Sequence, residues 1–250
     1  MRLVLLFLAT IVFSSLSVQS RELPLGIKIP IVDGFDYPVA SPNATGYCKS
    51  RGWSKRHPGE DWISLLKSPK ALLGAPVYAI GTGRVVFARN APGGWGNVVI
   101  VRHAFHENGK LYLIDSFYAH LRRVLVHERQ RVVKGEKVGE IGTNRGMYSP
   151  HLHFEIRKNL LIGTCRLRYA RTLDNYYVPT TFIEKHRRLK RRGRYVKMIM
   201  TRFTFQDTLP LPIDESKSHL GNVLGKRSKK GGGRGAFCSH PGVAPGLTIR

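Results

Sequence analysis

The sequence is poor in cysteine and in acid. Its three cysteines, Cys48, Cys165 and Cys238, form no CxxC pair. That spacing excludes a cysteine-ligated zinc module. In an exported protein Cys48 could join Cys165, and three separate thiols is the other arrangement left open. Asp and Glu total 16 against 41 Lys and Arg, a net charge of +25. The partners to expect are therefore anionic: nucleic acid, anionic lipid or an acidic cell wall. Long apolar runs are also missing. Leu3–Phe13 is too short to span a bilayer, which takes about 20 residues. With Met1-Arg2 before it and Ser17-Val18-Gln19-Ser20 after it, the run reads as a secretory signal cleaved after Ser20. No cysteine follows it, so no lipoprotein anchor is expected. There is no HExxH helix: Glu60 lacks that context, and Pro58-Gly59 argues against any helix there.

An apolar fraction of 42% is that of an ordinary globular protein. Residues 1–20 are expected as signal peptide and 21–47 as an irregular lead-in, with one strand near Ile27 to Val32. A domain is expected over 48–184 and a basic extension over 185–250. The Gly231-Gly232-Gly233 stretch makes 226–250 expected disorder. Within the domain, short β-branched runs alternate with glycine punctuation: Val77–Ile80, Arg84–Ala88, Asn97–Arg102 and Leu111–His120. Asn108-Gly109 predicts a tight turn in a long hairpin over 97–120. No helical period is sustained there. The predicted fold is all-β, mainly antiparallel, in one twisted sheet.

The run His151-Leu152-His153-Phe154-Glu155-Ile156 carries the chemistry. On a strand, Leu152, Phe154 and Ile156 face one way, and His151, His153 and Glu155 the other. The apolar row can enter a core while the polar row presents two imidazoles and a carboxylate at one surface. Upstream, His57 and Asp61 stand in His57-Pro58-Gly59-Glu60-Asp61. Two histidines and an aspartate would complete an open catalytic zinc site, which needs three protein ligands and a water. His120, in Tyr118-Ala119-His120-Leu121, is a further candidate. His103 and His106 lie near the hairpin turn and are expected to be solvated. Trp53, Trp62 and Trp95 are expected to pack, with Trp95 in a glycine-rich loop that could border a groove. Glu155 could orient a ligand imidazole or form a surface salt bridge.

These pieces, HxxxD, then Y-x-H-L, then H-L-H-F-E, resemble the lysostaphin-like (LytM-type) zinc metallopeptidases that cut peptidoglycan. The glycine punctuation is similar as well: Gly83-Arg84-Val85-Val86, Gly94-Trp95-Gly96-Asn97 and Val133-Lys134-Gly135-Glu136-Lys137-Val138-Gly139. The resemblance covers about residues 53 to 157. It implies a LytM-like antiparallel sheet with a groove over the metal. It implies zinc on His57, Asp61 and His153, with His120 and His151 as catalytic residues lining the site. Which of those two handles which proton stays open. The implied activity is a secreted or periplasmic endopeptidase hydrolysing amide bonds in peptidoglycan cross-links. The alternative is a catalytically silent module of this fold that binds wall or regulates a wall hydrolase. The run Lys185–Arg194 either holds the protein to anionic cell-wall polymers or is a solvated tail; a signal peptide argues against nucleic acid.

Overall fold

A computed structural model describes residues 26–199, apart from Lys55, Lys67, Pro92, Leu161, Gly163 and residues 165–172. The expected signal peptide, the expected disorder over 226–250, Cys165 and Cys238 lie outside the described residues. Cys48 is disulfide-bonded.

In chain order the elements are β1 (Gly26–Pro30), β2 (Tyr47–Arg51), β3 (Glu60–Ser64), α1 (Pro69–Leu72), β4 (Pro76–Tyr78), β5 (Gly83–Ala91) and β6 (Gly96–Glu107). There follow β7 (Lys110–Val124), β8 (Arg131–Val132), β9 (Lys137–Ile141), β10 (Leu152–Arg157), β11 (Tyr176–Tyr177), α2 (Pro179–Lys185) and β12 (Tyr195–Ile199). The main sheet runs β2-β3-β10-β7-β6-β5-β8; β11 pairs with β10, and β9 pairs with β4 and β7. All of these pairings are antiparallel. The all-β expectation is what the structure shows.

The hairpin β6–β7 is the spine. Glu107 pairs with Lys110 across Asn108 and Gly109, whose φ angles are 50° and 77°. Positive φ at both central residues is the turn that matches the strands' twist, and Asn-Gly adopts it with least strain. Along β6, alternate residues serve two cores. Val99 and Val101 join one, with Tyr118, Leu152, Phe154 and Ile156. Val98, Ile100 and Ala104 join the other, with Phe117 and Ala119.

Each core is closed by residues remote in sequence. Residues 26–47, read as a lead-in, are irregular for much of their length but heavily buried. Val32, Phe35, Tyr37 and Val39 pack in the first core, where Phe182 and Ile183 of α2 also lie. Ile27, Ile29 and Ile31 pack in the second, against Val196 and Met198. Strand β12 pairs with β1 from Gly26↔Ile199 to Pro30↔Tyr195. The first part of the basic extension is thus folded onto the sheet.

His103 corrects the sequence reading. It is fully buried rather than solvated. Its Nδ1 is 3.0 Å from the Thr82 carbonyl, so it donates there, and its Nε2 is 2.8 Å from Ser116 Oγ. The strands run well past it, and Phe35 packs edge-on against its ring at 5.6 Å. Burial lowers its pKa to about 4, opposed by the Thr82 carbonyl and Asp115. His106, nearer the turn, is half-buried.

Candidate metal centre and its groove

Strand pairing brings the distant pieces together. On β10, His153 pairs with Asp61 of β3 on one side and with Ala119 of β7 on the other. His57 reaches the same point from the loop before β3. Gly59 is needed in that loop: a Cβ there would collide with the Phe154 carbonyl oxygen, so only glycine lets the loop lie against β10. Alternation along β3 sends Trp62 and Ser64 to the same side as Glu60, away from Asp61. Glu60 is fully buried, accepts from Thr180 Oγ1 at 2.7 Å, and takes no part in the site.

Three atoms form a near-equilateral triangle. His57 Nε2 is 2.9 Å from Asp61 Oδ1 and 3.0 Å from His153 Nδ1, and His153 Nδ1 is 3.0 Å from Asp61 Oδ1. The other nitrogen of each ring is already committed. His57 Nδ1 donates to the Gly52 carbonyl at 2.9 Å, and His153 Nε2 donates to Glu155 Oε1 at 2.9 Å. In neutral rings the facing atoms therefore carry lone pairs. Three lone pairs aimed at one point need a positive charge among them. In a tetrahedral zinc site with bonds of about 2.0–2.1 Å, ligand atoms lie about 3.3 Å apart, close to this triangle. Two imidazole nitrogens and one carboxylate oxygen suit zinc.

The electrostatics agree. Burial opposes ionisation of Asp61, but hydrogen bonds and charge from His153 and His57 outweigh it and hold the carboxyl well below its usual range. Burial opposes a charge on His153 as well, but Asp61 and Glu155 raise its pKa overall. A proton can thus stand where a metal would.

The polar row on β10 is a second correction. It is not a surface: every residue of β10 is buried. Glu155, fully buried, bridges His153 to Arg157, whose Nε donates to Glu155 Oε2 at 2.6 Å. The Arg157 guanidinium lies 3.9 Å over the Phe117 ring. Burial disfavours the Glu155 carboxylate, and Arg157 with His153 more than restores it, so its pKa falls. Glu155 thus contacts the His153 imidazole and also forms an ion pair, but with Arg157 in the interior rather than at the surface. Arg157 was missed, though it is the next residue on the same period-two row.

His120 and His151 lie beside the triangle, their ring centroids 4.8 Å apart and that of His120 5.8 Å from His153. His151 Nε2 is 3.6 Å from Asp61 Oδ1. Its Nδ1 donates to the Ser149 carbonyl at 2.8 Å, and His120 Nδ1 donates to the Trp95 carbonyl at 3.0 Å. The His120 backbone N–H bonds that same oxygen at 2.9 Å. Gly93, Gly94 and Gly96 all have positive φ, which lets the loop present this carbonyl. His120 itself has φ 60°, a strained conformation of the kind found at functional sites. Each ring thus turns Nε2 away from its backbone anchor. Burial, then His153 and His151, push the His120 pKa down to about 3. Burial also lowers that of His151, against Asp61. Trp95 packs 5.0 Å from His153 and 6.1 Å from His120, centroid to centroid, and Tyr148 sits 4.6 Å from His120.

Comparison with known proteins decides the family. A profile described as Peptidase family M23 matches residues 63–162, opening two residues after Asp61. Over 84 residues the chain is 43% identical to Lipoprotein NlpD of Yersinia enterocolitica, a stretch covering 34% of this chain and 78% of that protein. The chain belongs to peptidase family M23. Within it, this M23 chain is 38% identical over 84 residues to Peptidoglycan DD-endopeptidase ShyA of Vibrio cholerae, 34% of this chain and 18% of that one. It is 43% identical over 84 residues to Murein hydrolase activator NlpD of Escherichia coli, 34% of this chain and 20% of that one. The matched stretch is thus about a fifth of each of these two longer relatives. Among solved structures, lysostaphin from Staphylococcus simulans aligns with a TM-score of 0.41 at 25% identity, over 56% of this chain and 50% of that one.

Proposed function

We propose that this M23 chain is a secreted zinc-dependent endopeptidase that hydrolyses amide bonds in peptidoglycan peptide cross-links. The observation that carries this reading is the triangle of inward-facing lone pairs on His57, Asp61 and His153, each ring fixed by its second partner. These three would hold the ion. Zinc bound there supplies Lewis-acid chemistry, polarising a scissile carbonyl and lowering a water's pKa toward about 7.

The chain's own side chains handle the protons. His120 and His151 have Nδ1 tied to backbone carbonyls, so Nε2 is the basic atom of each. Burial keeps both rings neutral, and a neutral imidazole can accept a proton. One of them takes the proton of the attacking water and returns it to the departing amine. Trp95 and Tyr148 pack against these rings and limit their motion and hydration.

A second reading, a silent module that binds wall or activates a wall hydrolase, is favoured by the identity to proteins described as murein hydrolase activators. One experiment separates the two: mass analysis of fragments released from purified peptidoglycan, with and without a chelator. Chelator-sensitive release of peptide fragments supports the peptidase. Binding to sacculi with no release supports the silent module.

Export rests on the Leu3–Phe13 segment. Among the described residues no helix is long and apolar enough to cross a membrane. The basic run divides in two. Lys185 pairs with Glu107 at 2.8 Å, and Arg187 bonds the Pro42 carbonyl at 2.6 Å and Asn43 Oδ1 at 2.7 Å. Arg188, Lys190, Arg191, Arg192 and Arg194 are exposed. These five are the part proposed to hold anionic cell-wall polymers.

A further inference from the structure

His120 and His151 come from different segments, and one residue lies against the backbone of both. Gly142, the residue after β9, is buried and forms a bridge to His151. Its other side lies against β7. A Cβ built on Gly142 would stand 2.5 Å from the His120 carbonyl oxygen, 2.5 Å from the Arg122 nitrogen and 2.8 Å from the Leu121 carbonyl carbon. Its φ is outside the left-handed range, so close approach rather than conformation calls for glycine. The atoms it would meet are all backbone, and no rotamer change can clear them.

Both sides of this contact are pinned. On β7, the Trp95 carbonyl holds the His120 N–H at 2.9 Å and the His120 ring at 3.0 Å. Asn97 Nδ2 donates to the carbonyls of Leu121 and Arg122 at 3.1 and 3.2 Å. On the other side, Ile141 donates its N–H to the Ala75 carbonyl and accepts from the Gly74 N–H, each at 2.8 Å. Non-bonded carbon contacts relax only at about 3.5 Å, so a methyl group on Gly142 must part the two segments by roughly 1 Å. The segment that moves carries either His120 or the bridge to His151.

We propose that Gly142 is a positioning residue whose bare backbone sets the spacing of His120 and His151. This rests on the peptidase reading of that pair and names a residue that tunes it. The metal triangle should survive a change there, because strand pairing holds His153 between Asp61 and Ala119. A misplacement of about 1 Å in a reacting group costs about 100-fold in rate.

The test compares the zinc-loaded full chain with its Gly142→Ala and Gly83→Ala variants. Gly83 controls for crowding alone. It lies on β5, three strands from β10, and a Cβ there would stand 2.6 Å from the Arg102 carbonyl oxygen. The first readout needs no substrate: the nuclear Overhauser contact between the His120 and His151 ring protons. The native chain and Gly83→Ala should show it, and Gly142→Ala should lose it while keeping one zinc and the native circular dichroism. The second readout is turnover of a soluble peptide. Here kcat should fall about 100-fold in Gly142→Ala with KM nearly unchanged, and Gly83→Ala should keep both. The positioning role is overturned if Gly142→Ala keeps the ring contact, releases its zinc or loses the native circular dichroism. It is equally overturned if the native chain lacks the contact or Gly83→Ala loses it too. A native chain that shows the ring contact but cuts no peptide contradicts the peptidase reading alone.

Discussion

Glu155 accepts the Nε2 proton of His153 at 2.9 Å while its other oxygen takes the Arg157 Nε proton at 2.6 Å. One buried carboxylate thereby fixes which face of the His153 ring carries a lone pair. Carboxylate partners of ligand imidazoles set tautomer and basicity, and losing one costs about 10–100-fold in metal affinity. Glu155→Gln should lower zinc affinity by about that factor, read by competition with a chromogenic chelator. The variant should keep the far-ultraviolet circular dichroism of the native protein. Unchanged zinc affinity would mean that Glu155 serves packing alone.

The pH dependence of stability should carry a signature of His103. Its folded pKa, about 4, lies below the unfolded value of 6.5, so the native state binds fewer protons between these values. Its contribution is complete above pH 6.5, falls as pH drops through that window, and levels off below about 4. The amount at stake is on the order of 3 kcal/mol. His103→Asn cannot titrate there, and its urea-unfolding free energy should lose this part of the slope between pH 7 and 4. A slope identical to the native protein's would assign the acid sensitivity to other groups.

Retention on the wall should depend on the exposed part of the basic run. Neutralising Arg188, Lys190, Arg191, Arg192 and Arg194 should weaken binding to whole sacculi, and salt should do the same, since exposed charges are screened beyond about 8 Å. Cleavage of a short soluble peptide should be nearly unaffected. Lys185 and Arg187 are left in place because they pair with the folded domain. Equal losses in a pull-down and a soluble-peptide assay would show that the run supports the fold rather than a tether.

What was legible in the sequence had a local cause. The Asn108-Gly109 hairpin follows from the φ angles that those two residues tolerate. The row of His151, His153 and Glu155 follows from strand alternation, and one more step along it would have reached Arg157. What was not legible needed partners far away in the chain. Residues 195–199 look merely basic until they pair with residues 26–30, where a strand was expected, over the second core. His103 reads as a surface residue until Phe35 and Gly81 close over it. Nothing local to Trp95 indicates that its carbonyl holds both the backbone and the ring of His120.

The measurement that tests the account most directly is zinc content by elemental analysis, after dialysis, of the native chain, His153→Ala and His120→Ala, paired with a peptidoglycan cleavage assay. The account predicts one zinc per chain in the native protein and in His120→Ala, with cleavage only in the former, and no retained zinc in His153→Ala. Full metallation of His153→Ala would contradict the assignment of His57, Asp61 and His153 as the metal centre.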